Sequence, residues 1–262
     1  VRFHLYRQRS TEERLLLGAK FRQNARKLSI ECLRQSFPEL GSEAFAVKVA
    51  TAWLQEKCPI NYIPPINCMN WSQDPTAIAV LLGQIFTAAN ISYYITGGVA
   101  AIAHGEPRAT IDLDIVIAIN RSDLPLLAAD LESQGFYVAG LTEVMAGTLR
   151  CLNITHLETI ENVDLMISGE EDYDQIKLDR RRLYTLPGGG EVVIASPEDV
   201  IISKLLWRRT SKSDKQWRDI LGVLKVQQEK LDFDYLQRWV DQFGLEQDWE
   251  KAKVEAGVSQ LG

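Results

Sequence analysis

The sequence of this 262-residue chain predicts an α+β fold: a mixed β-sheet flanked by helices, with a helical hairpin ahead of it and a helical region behind it. Three observations carry that expectation. Both ends of the chain show helix-start signals followed by apolar residues at helical spacing. The middle holds short apolar runs of strand length separated by glycine-rich turns. Within it, "ATIDLDIVIAI" (109–119) alternates with period two, as a half-buried strand does.

The elements follow in order. Ser10 and Glu13 form a capping box ahead of "LLLGAKFRQNARKLSIECL", one long helix. "FPELGS" ends it, and Ser42 is placed to cap a second helix, "EAFAVKVATAWLQEK". Residues 1–57 are therefore expected to be a helical hairpin, with 58–73 as a linker: the stretch "CPINYIPPINCMNWSQDP" (58–75) has no period and holds four of the nine prolines, three of them in the linker itself. An α/β core is expected over 74–195. It opens with Asp74 as N-cap and Pro75 at the first helical position, before the stripe Ile78, Leu81, Leu82, Ile85 and Phe86. "ISYYIT" is a strand, and Gly97-Gly98 turns it into the short helix "VAAIAH", ended by Gly105. In the alternating segment Ile111, Leu113, Ile115 and Ile117 face one way, and Thr110, Asp112, Asp114, Val116 and Ala118 the other. Ser122 caps "DLPLLAADLESQ", stopped by Gly135, and "FYVAG" is a strand. "GTLRCLNITHL" and "ENVDLMIS" pair as a hairpin, with Asp164 between Val163 and Leu165. After "LPGGG" comes the strand "EVVIAS", and Ser196-Pro197-Glu198-Asp199 then starts a helical region over 196–262.

Composition narrows the function. No apolar run nears the 18 residues of a membrane span, and no secretory signal is visible at the first residues. The four cysteines (Cys32, Cys58, Cys68, Cys151) form no C-x-x-C pair, which argues against a zinc site or disulfide framework and fits the cytoplasm. The net charge of −6 disfavours a general nucleic-acid coat. Basic blocks nevertheless stand at 1–36, with nine Lys/Arg against three Glu, and at 204–225, with seven against two Asp. They read either as solvated helix faces or as guides for a phosphate-bearing partner.

The chemistry concentrates in the middle. Two acids at alternate strand positions lie about 7 Å apart on one face and repel by roughly 2–3 kcal/mol at an effective dielectric near 20. Asp112 and Asp114 therefore call for a cation, and their hard oxygens suit Mg²⁺ or Mn²⁺. A later strand acid, Asp164, completes a three-carboxylate set of the kind that holds two metals for an in-line phosphoryl displacement; Glu161, Asp172 and Asp174 are alternatives. Gly97-Gly98 lets the backbone approach a phosphate at a helix N-terminus. Lys204 falls on the buried stripe of its helix, either snorkelling outward or reaching a phosphate. Arg108 contacts phosphate or pairs with an aspartate, and Asp219 flanks the stripe of Trp217, Ile220, Leu221 and Leu224. His104 and His156 read as packed residues.

Gly-Gly, thirteen residues, Asp-Leu-Asp and a later strand acid resemble the nucleotidyltransferase superfamily of DNA polymerase beta, over roughly residues 76–226. Within it, "GEPRATIDLD", "SPEDVIISKLLWRR" and "DKQWRDI" are similar to the bacterial abortive-infection and type IV toxin branch. The resemblance implies a nucleotidyltransferase-like mixed sheet, a nucleoside triphosphate and Mg²⁺. It makes Asp112, Asp114 and Asp164 catalytic metal ligands, Asp164 also a general base, and Thr96, Gly97, Gly98, Arg108, Lys204 and Asp219 nucleotide-binding. Many relatives have Gly-Ser where this chain has Gly97-Gly98, which leaves backbone N–H groups and Thr96 to hold the triphosphate and predicts a weaker grip.

The activity expected is Mg²⁺-dependent transfer of a nucleoside monophosphate from NTP to a hydroxyl on protein, RNA or a small molecule, by a toxin-like cytoplasmic bacterial enzyme. The alternative is a catalytically weak nucleotide-binding or interaction module, with residues 1–57 docking a protein partner. A sugar-nucleotide glycosyltransferase using D-x-D as a metal clip is a third reading, disfavoured by the glycine turn.

Overall fold

The structure is a computed structural model that describes residues 2–66, 71, 76–187 and 189–258. The expected caps Asp74 and Pro75, and Cys68, lie outside the described residues. In chain order the elements are α1 (Arg2–Arg7), α2 (Thr11–Ser36), α3 (Ser42–Leu54), α4 (Thr76–Ala88), β1 (Ser92–Ile95), α5 (Gly97–His104) and β2 (Leu113–Ala118). Then come α6 (Leu124–Ser133), β3 (Phe136–Ala139), α7 (Leu141–Met145), β4 (Cys151–His156), β5 (Glu161–Ile167), α8 (Asp172–Arg180), β6 (Arg182–Thr185) and β7 (Glu191–Ile194). The chain closes with α9 (Pro197–Ser211), α10 (Asp214–Gln227), α11 (Phe233–Phe243) and α12 (Glu246–Ala256). Parallel and antiparallel strand pairs flanked by helices make this the α+β class expected. Among the described residues no helix is long and apolar enough to cross a membrane.

The chain divides into two compact units. One comprises Ala19–Tyr93 and Ala109–Gly169. Its strands run in the order β3-β4-β5-β2, antiparallel except for the parallel pair β2–β5. The β4–β5 hairpin is the one the alternation predicts. Leu113, Ile115 and Ile117 of β2 are buried, with Leu152, Ile154, Val163 and Leu165 beside them in the core. The strand starts later than the sequence suggests: Asp112 lies just before it, and Ile111 is exposed rather than packed. A second cluster, Phe45, Val49, Leu54, Trp71 and Ile160, packs α3 with the β4–β5 turn. Buried ion pairs tie α2 to the same turn: Arg22 and Arg26 both pair with Glu161, and Arg26 also donates to the carbonyls of Trp71, Thr159 and Ile160. Ser42 does not cap α3, where Gly41 takes the N-cap position. Nor does Ser122 cap α6: a short 3₁₀ turn over Arg121–Asp123 makes Asp123 the N-cap.

The other unit comprises Val1–Gly18, Tyr94–Arg108 and Glu170–Gly262. Ile95 of β1 pairs in parallel with Ile194 of β7, and β6 pairs antiparallel with β7. The Ser10/Glu13 capping box forms as expected, Ser10 N–H donating to Glu13 at 2.8 Å and Glu13 N–H to Ser10 Oγ at 3.2 Å. Ser196 Oγ caps α9 by accepting from Asp199 N–H at 3.1 Å. Helix α5 packs on α9 and α10. At Gly105 the approach is so close that a Cβ would sit 2.9 Å from Gly222 C and Val223 N.

Candidate active site

Strand pairing sets the acids. In the parallel β2–β5 ladder Asp114 stands opposite Asp164, and Leu113 and Ile115 on either side of Asp114 are buried. Parallel neighbours in register project to the same face, so the pairing sets two carboxylates side by side. Asp112, two residues earlier, is half-buried, and its Oδ1 accepts from Asn162 Nδ2 at 3.5 Å.

The sequence did not reveal Lys57. It closes the 3₁₀ turn Gln55–Lys57 that follows α3, and its Nζ donates to Asp164 Oδ2 at 2.9 Å and Oδ1 at 3.1 Å. Asn153 Nδ2 donates to Asp164 Oδ1 at 2.7 Å. Burial alone would lower the Lys57 pKa, but the bond to Asp164 and the charges of Asp164 and Asp112 outweigh it and raise the value, so the group is an ammonium at neutral pH. Nearby, burial and then the Asp164 charge push the Cys151 thiol up to about 11, which rules out a thiolate nucleophile at neutral pH.

Among the described residues no group of three or more His, Cys, Asp and Glu is arranged to hold a metal ion. The donor chemistry of Asp112 and Asp114 fits a hard divalent cation. Asp164 fits it only if Lys57 releases the carboxylate. Glu161, an alternative third acid, is already paired with two arginines. Asp172 and Asp174 lie in the first turn of α8, in the other unit, where Asp174 pairs with Lys177 at 2.8 Å.

In that unit Gly97 has φ +59°, a left-handed backbone that glycine adopts without a Cβ penalty. It opens α5, with Thr96 as an N-cap that makes no side-chain cap bond. Arg108, Lys204 and Asp219 come together as one ion cluster. Arg108 donates to Asp219 Oδ1 at 2.8 Å and Oδ2 at 2.7 Å. Lys204 Nζ lies 2.7 Å from Asp219 Oδ2 and donates to Gln216 Oε1 at 2.8 Å. Lys204 neither snorkels to water nor lies open, and Asp219 is buried rather than on a helix surface. Burial pushes the Asp219 pKa up, but Arg108 and Lys204 overcome that and hold it below the ordinary carboxylate value. His104 is packed, as expected, with Nε2 2.7 Å from the Ala195 carbonyl.

No family model matches the chain, and no curated protein matches it. Among solved structures the chain is similar to an antigenic nucleotidyltransferase-like protein from Paracoccidioides brasiliensis, at 19% identity and TM-score 0.45, over 69% of this chain and 91% of that one. It is similar to the lincosamide antibiotic adenylyltransferase LnuA, at 14% identity and TM-score 0.40, over 56% of this chain and 94% of that one. A third likeness, to the antibiotic-resistance factor ANT(2'')-Ia, has 14% identity and TM-score 0.46, over 70% of this chain and 99% of that one.

Proposed function

We propose that the chain is a Mg²⁺-dependent nucleotidyltransferase that moves a nucleoside monophosphate from NTP to an acceptor hydroxyl. The observation that carries this reading is the β2–β5 register, which sets Asp164 opposite Asp114 with Asp112 two residues upstream. The acceptor oxygen attacks the α-phosphorus, the bond from that phosphorus to the bridging oxygen breaks, and pyrophosphate leaves. Asp112 and Asp114, with Asp164 once Lys57 releases it, would hold a divalent ion, which would supply positive charge to offset that on the phosphates and the attacking oxygen. Asp164, once free of Lys57, takes the acceptor's proton. The glycine turn at Gly97-Gly98 receives the triphosphate through backbone N–H groups, with Thr96 beside it. Because Asp219 is paired with both Arg108 and Lys204, we assign the three to positioning: they fix α9 and α10 against the segment that leaves α5. The sequence likeness to the type IV toxin branch makes a toxin-like, cytoplasmic enzyme the narrower form of the same proposal.

The test is release of labelled pyrophosphate from γ-labelled NTP with Mg²⁺. Activity in the wild type that falls to background in Asp112→Asn, with the melting temperature kept, is the expected result. One observation favours a second reading, a nucleotide-binding module of weak or no activity: both oxygens of Asp164 are already hydrogen-bonded to Lys57 and Asn153. Nucleotide binding without pyrophosphate release under any divalent ion would establish that reading and retire the first.

A further inference from the structure

We propose that the turn Gln55–Lys57 is an autoinhibitory latch: closed, Lys57 keeps Asp164 from joining Asp112 and Asp114, and it opens when a divalent cation takes that carboxylate. What the latch guards rests on the nucleotidyl-transfer reading; the latch itself rests on how Lys57 and its turn are held. Lys57 already stands to the acids as a cation does. Its Nζ spans Asp164, 2.9 Å from Oδ2 and 3.1 Å from Oδ1. The β2–β5 register sets Asp114 opposite that residue, and the charge of Asp112 also bears on the ammonium. Clustered acids repel one another, and an ammonium among them offsets the repulsion. A dication on the same oxygens would stand within a few ångströms of Nζ, where like charges repel in turn. The two cations therefore exclude each other at Asp164.

The two donors on Asp164 are held very differently. Asn153 faces Asp164 across the β4–β5 ladder and donates to Oδ1 at 2.7 Å. Fixed in the sheet, it stays and keeps the carboxylate aimed after Lys57 has gone. Lys57 belongs to a turn with no buried residue, in which Gln55 and Glu56 are exposed. Segments with few buried contacts open at low cost.

The chain is anchored on either side of the turn. Leu54 is buried in the cluster with Phe45 and Val49, and Cys58 packs against the same cluster. The three residues between them can lift while α3 keeps its packing. The pair that closes the latch is weak. The side chains of Lys57 and Asp164 are 32% and 23% exposed, so water screens their attraction. A dication carries twice the charge to the same hard oxygens, and it wins them from the ammonium.

The reactivity of the Lys57 amine reads the latch directly in the full chain. Short pulses of acetic anhydride followed by mass spectrometry give an acylation rate for each lysine, with and without Mn²⁺. Lys230 is the internal reference, because it is exposed and ends a turn of the same three residues, Gln228-Glu229-Lys230. Saturating Mn²⁺, with occupancy followed by calorimetry, should raise the Lys57 rate relative to Lys230 by about two- to fivefold, the range that a partly exposed pair allows. Lys57→Met should reach half-maximal pyrophosphate release at a Mg²⁺ concentration lower by about the same factor. A Lys57 rate that is unchanged or falls while Mn²⁺ is bound overturns the latch and leaves the transfer reading standing, as does an equal Mg²⁺ requirement in the variant. A raised Lys57 rate without pyrophosphate release under any condition keeps the latch and removes the transfer reading. If neither the wild type nor Lys57→Met binds Mn²⁺ or releases pyrophosphate, both fall.

Discussion

Lys57 and Asp164 stand 107 residues apart in sequence yet share two hydrogen bonds, and that contact changes how the acids behave. A metal ion and an ammonium compete for one carboxylate. Partly exposed ion pairs contribute roughly 0.2–1 kcal/mol, so Lys57→Met should tighten Mn²⁺ binding about two- to fivefold by titration calorimetry, and unchanged affinity would mean Asp164 takes no part in holding the ion. Asp219 is a different case, because Lys204 keeps only 6% of its side chain exposed. Asp219→Ala removes the carboxylate that Arg108 and the buried Lys204 share, and breaking a buried pair costs about 3–5 kcal/mol. A loss of that size in urea unfolding is expected. The Asp219 pKa is held low, so its stabilising contribution is present above the unfolded-chain value and disappears as the pH falls through the folded one.

At the level of elements, cap chemistry and periodicity foretold much of what forms. Ser10, Glu13 and Ser196 cap where expected, because each contact spans only three residues and needs nothing from the rest of the chain. Helix α8 and strand β6 were not legible. "DYDQIKLDR" is dense in charge, and only Tyr173 and Leu178 of that helix are buried, too few to print a stripe. The helix–helix contact at Gly105 was equally silent. A methyl there would meet Ala101 O at 2.8 Å and the backbone of Gly222 and Val223 at 2.9 Å. Backbone cannot rotate away as a side chain does, so Gly105→Ala should force α5 from α10 and cost about 1–3 kcal/mol. A measured loss well below that would mean the helices separate freely.

For the whole molecule, acid sensitivity follows from its packed histidines. Burial, the largest cause, holds the His104 pKa down at about 3; the Ala195 carbonyl opposes the shift, and the charges of Arg14 and Arg182 add to it. The unfolded chain takes up this proton near pH 6.5. Between those two values the unfolded state binds more protons, so stability falls as the pH is lowered, by up to about 1.4 kcal/mol per pH unit. His156 is lowered in the same direction, by burial first. His104→Gln keeps a donor for the Ala195 carbonyl and removes the titration. Denaturant curves at pH 7.5, 6 and 5 should show a shallower loss for the variant than for the wild type; parallel losses would place the acid sensitivity elsewhere.

The sequence alone determined the α+β class, the helix caps, the β4–β5 hairpin and the pairing of Asp112 with Asp114, because periodicity and capping depend on neighbours a few residues away. It also marked Lys204 as an oddity and offered Arg108 an aspartate partner. Only the tertiary structure decided which aspartate that is, that Lys204 shares it, and that Lys57 holds Asp164. Those contacts join residues far apart in the chain. Whether a buried charge or polar atom finds a partner depends on what packing brings within about 3 Å, and no local pattern records it.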